Sequence, residues 1–88
     1  MKLKKGFILT EVAGDTVAVP VEETAEQFHG IIRLNATAVD IWHGLEEGKT
    51  AEEIAALLVE TYDGIDIEKA LSDTNAILEQ FKKEGIIE

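Results

Sequence analysis

A chain of 88 residues, 45% apolar and 30% charged, has room for one compact domain spanning residues 1–88 and no second functional unit. A core of this size folds alone but leaves little space for a deep internal cavity, which places function on the surface. The net charge of −10, from 18 acids against 8 bases, disfavours nucleic acid and anionic membranes as partners, and the absence of cysteine removes disulfides, thiolate nucleophiles and cysteine-held metal centres.

The acidity is uneven. Residues 50–88 hold ten acids against three bases, and residues 1–49 hold eight against five, so a partner of the C-terminal half is expected to be cationic. The N-terminus is basic at Lys2, Lys4 and Lys5, but the apolar run Phe7–Leu9 is too short for a signal peptide core. No stretch approaches the roughly 20 apolar residues of a membrane span. The expectation is a soluble cytoplasmic protein.

In chain order, Phe7–Val12 is β-branched and aromatic, and Thr16–Val21 alternates with Val17, Val19 and Val21 on one side. Ala13-Gly14-Asp15 between them predicts a hairpin turn in which Gly14 or Asp15 takes the positive φ. Pro20 cannot donate to a ladder, so the second strand ends there or keeps that position on an edge. An acidic loop is expected over residues 22–29. Gly30–Leu34 then reads as a third strand, with Ile32 and Leu34 on one face and Ile31 and Arg33 on the other.

At Asn35 the period changes from two to that of a helix. Ala38, Ile41, Trp42 and Leu45 fall at helical spacing behind Asn35 as N-cap, and Gly48 ends the segment. Thr50-Ala51-Glu52-Glu53 has the spacing of a capping box and opens a second helix with Ile54, Leu57, Leu58 and Thr61 on one face and Asp63-Gly64 as its stop. The third and longest helix is capped by Asp66 and closed by Gly85, with Lys82 and Lys83 at its negative end. Its apolar arc runs through Ile67, Ala70, Leu71, Thr74, Ile77, Leu78 and Phe81, wide enough for one edge to pack on the domain while the other, around Ala70, Asp73, Thr74 and Ile77, borders a groove. Ile86-Ile87 adds a terminal strand or packs back on the sheet. Strands followed by helices give an α+β domain: a three-stranded antiparallel β-sheet followed by three α-helices, winged helix-turn-helix-like.

Chemistry finds no foothold in this pattern. His29 and His43 lack a second histidine at helical spacing, and the adjacent acids Glu22-Glu23, Glu46-Glu47 and Glu52-Glu53 diverge instead of converging on one atom. Gly48-Lys49-Thr50 lacks the earlier glycine of a phosphate loop and reads as a helix stop followed by an N-cap; Ser72 is the single serine and sits on an amphipathic helix. The expectation is no catalytic residue, no metal and no cofactor. A winged-helix DNA-binding regulator is the alternative, but along the third helix Asp66, Glu68, Asp73, Glu79 and Glu84 outnumber Lys69, Lys82 and Lys83, a charge that phosphates repel.

From Leu34 to Trp42 the chain reads Leu-Asn-Ala-Thr-Ala-Val-Asp-Ile-Trp, followed by Thr50-Ala51-Glu52-Glu53-Ile54, Tyr62, Asp73, Ile77-Leu78 and Glu84-Gly85-Ile86-Ile87, after an N-terminal Glu11-Val12-Ala13-Gly14 and Val19-Pro20. In order and spacing, over roughly residues 7–88, this resembles the PqqD family, the leader-peptide recognition elements of ribosomal peptide modification. Two positions depart from the family pattern: Ala38 stands where Gly is frequent, and Gly44 where an apolar residue is usual, which implies a looser first helix.

The resemblance implies a non-catalytic peptide chaperone. Such a domain holds the leader of a precursor peptide as an added strand and presents it to a modification enzyme, a radical-SAM maturase or a lasso-peptide protease. By position, the leader lies along Ile31, Ile32, Arg33 and Leu34 and against Ala70, Asp73, Thr74 and Ile77. In this scheme the backbone of residues 30–34 pairs with the leader, and Ile77 and Ala70 line an apolar groove. Asp73 attracts a leader cation or amide, and Arg33 a leader acid; an Asp73–Arg33 pair is the competing structural account. The domain is expected as a monomer or a hairpin-swapped dimer. A third reading is a structural module that joins a larger complex through the Trp42 face.

Overall fold

The computed structural model describes residues 2–3, 6–21 and 31–87. The acidic loop expected over residues 22–29, His29 within it, and Gly30 at the head of the third strand lie outside the described residues. Strands β1 (Phe7–Val12), β2 (Asp15–Pro20) and β3 (Ile32–Leu34) precede helices α1 (Ala36–Glu46), α2 (Ala51–Thr61) and α3 (Ile67–Lys83). The sheet is antiparallel in the order β1-β2-β3, with β3 set against Thr16–Ala18.

The hairpin register places Val12 opposite Asp15, so the turn is the two residues Ala13 and Gly14. Both have positive φ, 54° and 89°. The sequence pointed to Gly14 or Asp15; in fact Ala13 carries the first left-handed position, because a two-residue hairpin loop whose twist matches its strands needs positive φ at both central residues. Pro20 lies opposite Phe7 at the end of β2, beyond the residues that β3 pairs, where no ladder donor is needed.

Each helix begins where its cap residue is written. Asn35 accepts from the Ala38 N–H at 2.8 Å and Asp66 from the Lys69 N–H at 2.8 Å. Thr50 and Glu53 form the reciprocal box at 3.2 and 3.0 Å, and the Thr50 backbone N–H holds the Glu53 carboxyl below its usual range. Gly48, Gly64 and Gly85 stand past the helix ends with φ near 80°.

The core joins the three layers through aromatic rings. Trp42 of α1 meets Phe7 of β1 edge-on at 6.1 Å and Phe81 of α3 at 5.8 Å, and Ile41, Ile54, Leu58 and Ile86 fill the space around them. Trp42 is only 3% exposed, so it offers no docking face, contrary to the interaction-module reading. Leu57 and Thr61 turn outward from α2, although the pattern grouped them with Ile54 and Leu58. After α3 the chain folds back: Ile86 and Ile87 are buried, and Ile87 makes an antiparallel bridge with Leu3.

Gly44 corrects the expectation of a looser first helix. It is buried where α1 crosses α2, and a Cβ placed there would stand 2.7 Å from Cγ1 of Ile54. The glycine therefore permits close approach of the two helices, which an apolar side chain would hold apart.

Candidate functional site

Among the described residues no strand pairs the second edge of β3, and beside it opens a cleft of about 380 Å³. Its apolar lining is Ile32 and Leu34 from β3, Ala38 from α1, and Ile77 and Phe81 from α3; Asp15, Arg33, Asn35 and Gln80 supply polar groups. Opposed residues in a ladder share a face, so Ala18, Ile32, Thr16 and Leu34 look toward the helices, while Arg33 looks out opposite Val17. Asn35 spends its Oδ1 on the Ala38 N–H, which leaves its side-chain NH2 for another acceptor. Arg33 is exposed and has no carboxylate at ion-pair distance among the described residues. An edge strand running beside an apolar trough with a polar rim is the arrangement that accepts an extended chain: backbone groups pair with the edge, and alternate side chains enter the trough.

Over residues 15–87 the sequence matches the family described as Coenzyme PQQ synthesis protein D (PqqD). The chain belongs to the PqqD family. The match begins at Asp15, so β1, which the sequence resemblance included, lies outside it. Among solved structures, this PqqD-family chain is similar to TbiB1 in complex with the TbiA(beta) leader peptide, with a TM-score of 0.78 and 23% sequence identity over 100% of this chain and 95% of that one. The likeness is one of fold, three antiparallel strands followed by three helices. Comparison with curated protein sequences gives no significant match.

The fold treats the eight positions singled out in the sequence in three ways. Ile32, Arg33, Leu34 and Ile77 come together as cleft lining, and Ile31 is adjacent to them and 52% exposed. Ala70 and Thr74 have no accessible surface: they face the core and do not line the groove. Asp73 is partly exposed but lies outside the lining, and it pairs with Lys69 at 3.4 Å, not with Arg33. The competing Asp73–Arg33 pair is thus not formed.

The cleft differs from the expected groove in height along α3 as well as in rotation. At about 100° per residue, Ile77 and Gln80 lie roughly 20° and 80° to one side of Ala70, and Asp73 lies about 60° to that same side but one to two turns nearer the N-terminus, whereas Thr74 lies about 40° to the other. Gln80, Asn35, Ala38, Phe81 and Asp15 line the cleft and were not assigned to it from the sequence. The spacing from Ile77 to Gln80 and Phe81 was a usable signal. A polar Gln at one margin of an apolar arc marks the side that meets solvent.

Proposed function

We propose that this PqqD-family domain is a non-catalytic chaperone that binds the leader segment of a ribosomally made precursor peptide along β3 and presents the remainder to a modifying enzyme. The observation that carries the reading is the edge of β3, which no strand among the described residues pairs, beside a trough floored by Ile32, Leu34, Ile77 and Phe81. TbiB1, whose fold the chain shares, is itself a partner of a leader peptide. Family membership supports the same role.

Magnitudes assign the parts. A three-residue edge offers about three backbone hydrogen bonds, each contributing about 0.5–1.5 kcal/mol net, and micromolar affinity requires about 8 kcal/mol. Strand pairing alone falls short, so apolar side chains of the leader must supply the balance by burial in the cleft, at about 25 cal/mol per Å². The backbone of residues 31–34 fixes direction and register, Ile77 and Phe81 receive the apolar anchors, and Arg33 on the outer face meets an acidic leader residue. Ala70 and Thr74 support the helix from behind, and Asp73, neutralised in part by Lys69, lies beyond the trough. We assign the enzyme served to the radical-SAM maturases, with a lasso-peptide protease as the pathway alternative. The protein acts as a monomer or as a hairpin-swapped dimer, in the cytoplasm. No helix among the described residues is long and apolar enough to cross a membrane.

The test is titration of the co-encoded precursor peptide into isotopically labelled protein. Amide shifts are expected at residues 31–35 and 77–81, with affinity reduced by about 10–100-fold in Ile77→Asp, or about 1.4–2.8 kcal/mol. Shifts confined to other surfaces, with Ile77→Asp folded and binding unchanged, overturn the proposal; a salt-sensitive shift of duplex DNA in its place favours the winged-helix regulator.

A further inference from the structure

A second groove, of about 170 Å³, lies between α1 and α2. Gly44, Ile54, Leu57 and Leu58 form its floor, and Asp40, His43, Glu47, Lys49 and Thr61 complete its lining. On α1, Asp40 and His43 stand about 140–200° around the axis from Ala38, which lines the peptide cleft. The two openings therefore sit on opposite sides of the same helix and can be filled together.

Three observations bear on what would fill the second one. The floor is apolar and partly open, since Gly44 contributes no side chain and Leu57 is 40% exposed. Three of the rim groups already have partners: Lys49 and Glu47 pair with each other at 3.2 Å, and the His43 ring hydrogen-bonds Glu46 at 2.8 Å. Asp40 is the exception: it is half-buried and accepts from the Tyr62 hydroxyl at 2.6 Å, yet no cation lies within ion-pair distance of it among the described residues. The hydroxyl occupies Oδ2 and leaves Oδ1 available. Around the groove, residues 36–61 hold six acids and a single lysine, half of the net charge of the chain.

We propose that this groove is a second docking site, and that it takes an arginine from a basic segment of a partner protein. The space suits one long side chain. An arginine stem lies along Ile54, Leu57 and Leu58 while its guanidinium reaches the carboxylate that lacks a counter-ion; leucine would fill the floor and leave Asp40 unmatched. The surrounding acidity steers a cationic surface towards the groove and excludes an anionic one. On the leader-binding reading, on which this last identification rests, the partner is the enzyme that acts on the held peptide. The chain is then a clamp between the two, with the precursor on the β3 side of α1 and the enzyme on the other.

The experiment uses the full chain and, as probe, an acetylated and amidated helical peptide of about 14 residues with arginine set among leucines on one face. Amide shifts are expected at residues 40–47 and 54–61, with binding weakened about tenfold by Asp40→Asn, which keeps an acceptor for Tyr62, and by Leu57→Ala on the exposed floor. Glu79→Gln, an exposed acid on α3, is expected to change affinity less than about twofold, and precursor bound beforehand is expected to leave probe affinity unchanged. Equal losses in Asp40→Asn and Glu79→Gln mean diffuse charge attraction and overturn the proposal. Probe shifts at residues 31–35 and 77–81 place it in the peptide cleft and overturn it as well, and self-association abolished by Asp40→Asn makes a second copy the occupant. If the probe docks as expected while the precursor binds nowhere, the groove stands and the leader-binding reading falls.

Discussion

Gly44→Ala sets two effects of similar size against each other, and the structure says how to separate them. In an unobstructed helix the change stabilises by about 1 kcal/mol, the propensity difference between the two residues. Here the new methyl would stand 2.7 Å from Cγ1 and 3.1 Å from Cδ1 of Ile54, against ordinary carbon contacts of about 3.5–4.0 Å. Ile54 is 1% exposed, and Cγ1 is its inner atom, so the side chain has nowhere to swing. Overpacking of this kind costs about 1–3 kcal/mol, and the single variant is expected to lie between no net change and a loss of about 2 kcal/mol. Ile54→Ala removes the obstruction. On its own it costs about 2–5 kcal/mol, within the roughly 4–13 kcal/mol expected of a domain of this length. In that background Gly44→Ala should stabilise by its full 1 kcal/mol or so, which gives a coupling of about 1–3 kcal/mol. Urea unfolding of the four proteins measures it, provided the slope m is shared. The same shift from Gly44→Ala in both backgrounds would refute the close-approach reading of α1 on α2.

Three further outcomes follow from individual groups. Thr74 buries a hydroxyl that has no hydrogen-bond partner among the described residues, so Thr74→Val is expected to stabilise by about 1 kcal/mol and to raise Tm by about 4–8 °C in a thermal scan; a loss would mean that the hydroxyl is satisfied. Ala13 holds a φ of 54°, and Ala13→Asn, which tolerates the left-handed region, is expected to gain about 0.5–1 kcal/mol in denaturant unfolding; destabilisation counts against the two-residue turn. The single tyrosine, Tyr62, has its pKa raised first by its hydrogen bond to Asp40 and then by burial. Its protonated form is therefore favoured by folding: that stability is complete below the ordinary tyrosine pKa of about 10 and is lost as pH rises through the folded value. Spectrophotometric titration should show phenolate forming late and should show the shift reduced in Asp40→Asn. Ionisation at the ordinary value in the folded protein refutes the bond.

What the sequence disclosed and what it withheld divide along the range of the forces involved. Asn35, Thr50, Glu53 and Asp66 were legible as caps because each bond spans three residues and answers to local chemistry, and Gly48, Gly64 and Gly85 were legible as stops for the same reason. Ala13 was missed because the hairpin register imposes on it a conformation that alanine disfavours, and a residue list does not contain the register. The groove side of α3 failed in a more instructive way. Periodicity gives the width of an apolar arc but not its rotation against the domain, so Ala70 and Thr74 passed for groove wall when they are core. Ile77 stands close enough to the margin of the arc to line the cleft under either rotation. Gln80 needed only the further step of asking where the arc turns polar.

The placement of the cleft follows from the same packing. Its strand wall is fixed locally, since β3 runs without a linker from Leu34 through Asn35 into α1, and the cap that starts the helix also lines the trough. Its helix wall comes from more than forty positions further along the chain and needs a long-range device. The device is Phe81, which is at once an edge-on partner of Trp42 and a lining residue of the cleft, while Trp42 in turn meets Phe7 on β1. Ile86 and Ile87, buried behind it, prevent the end of α3 from drifting. The floor on which a leader side chain would rest is therefore part of the hydrophobic core. Its order is established by folding and need not be supplied at binding, which would lower the entropic cost of the proposed capture of a flexible peptide on an edge of only three residues.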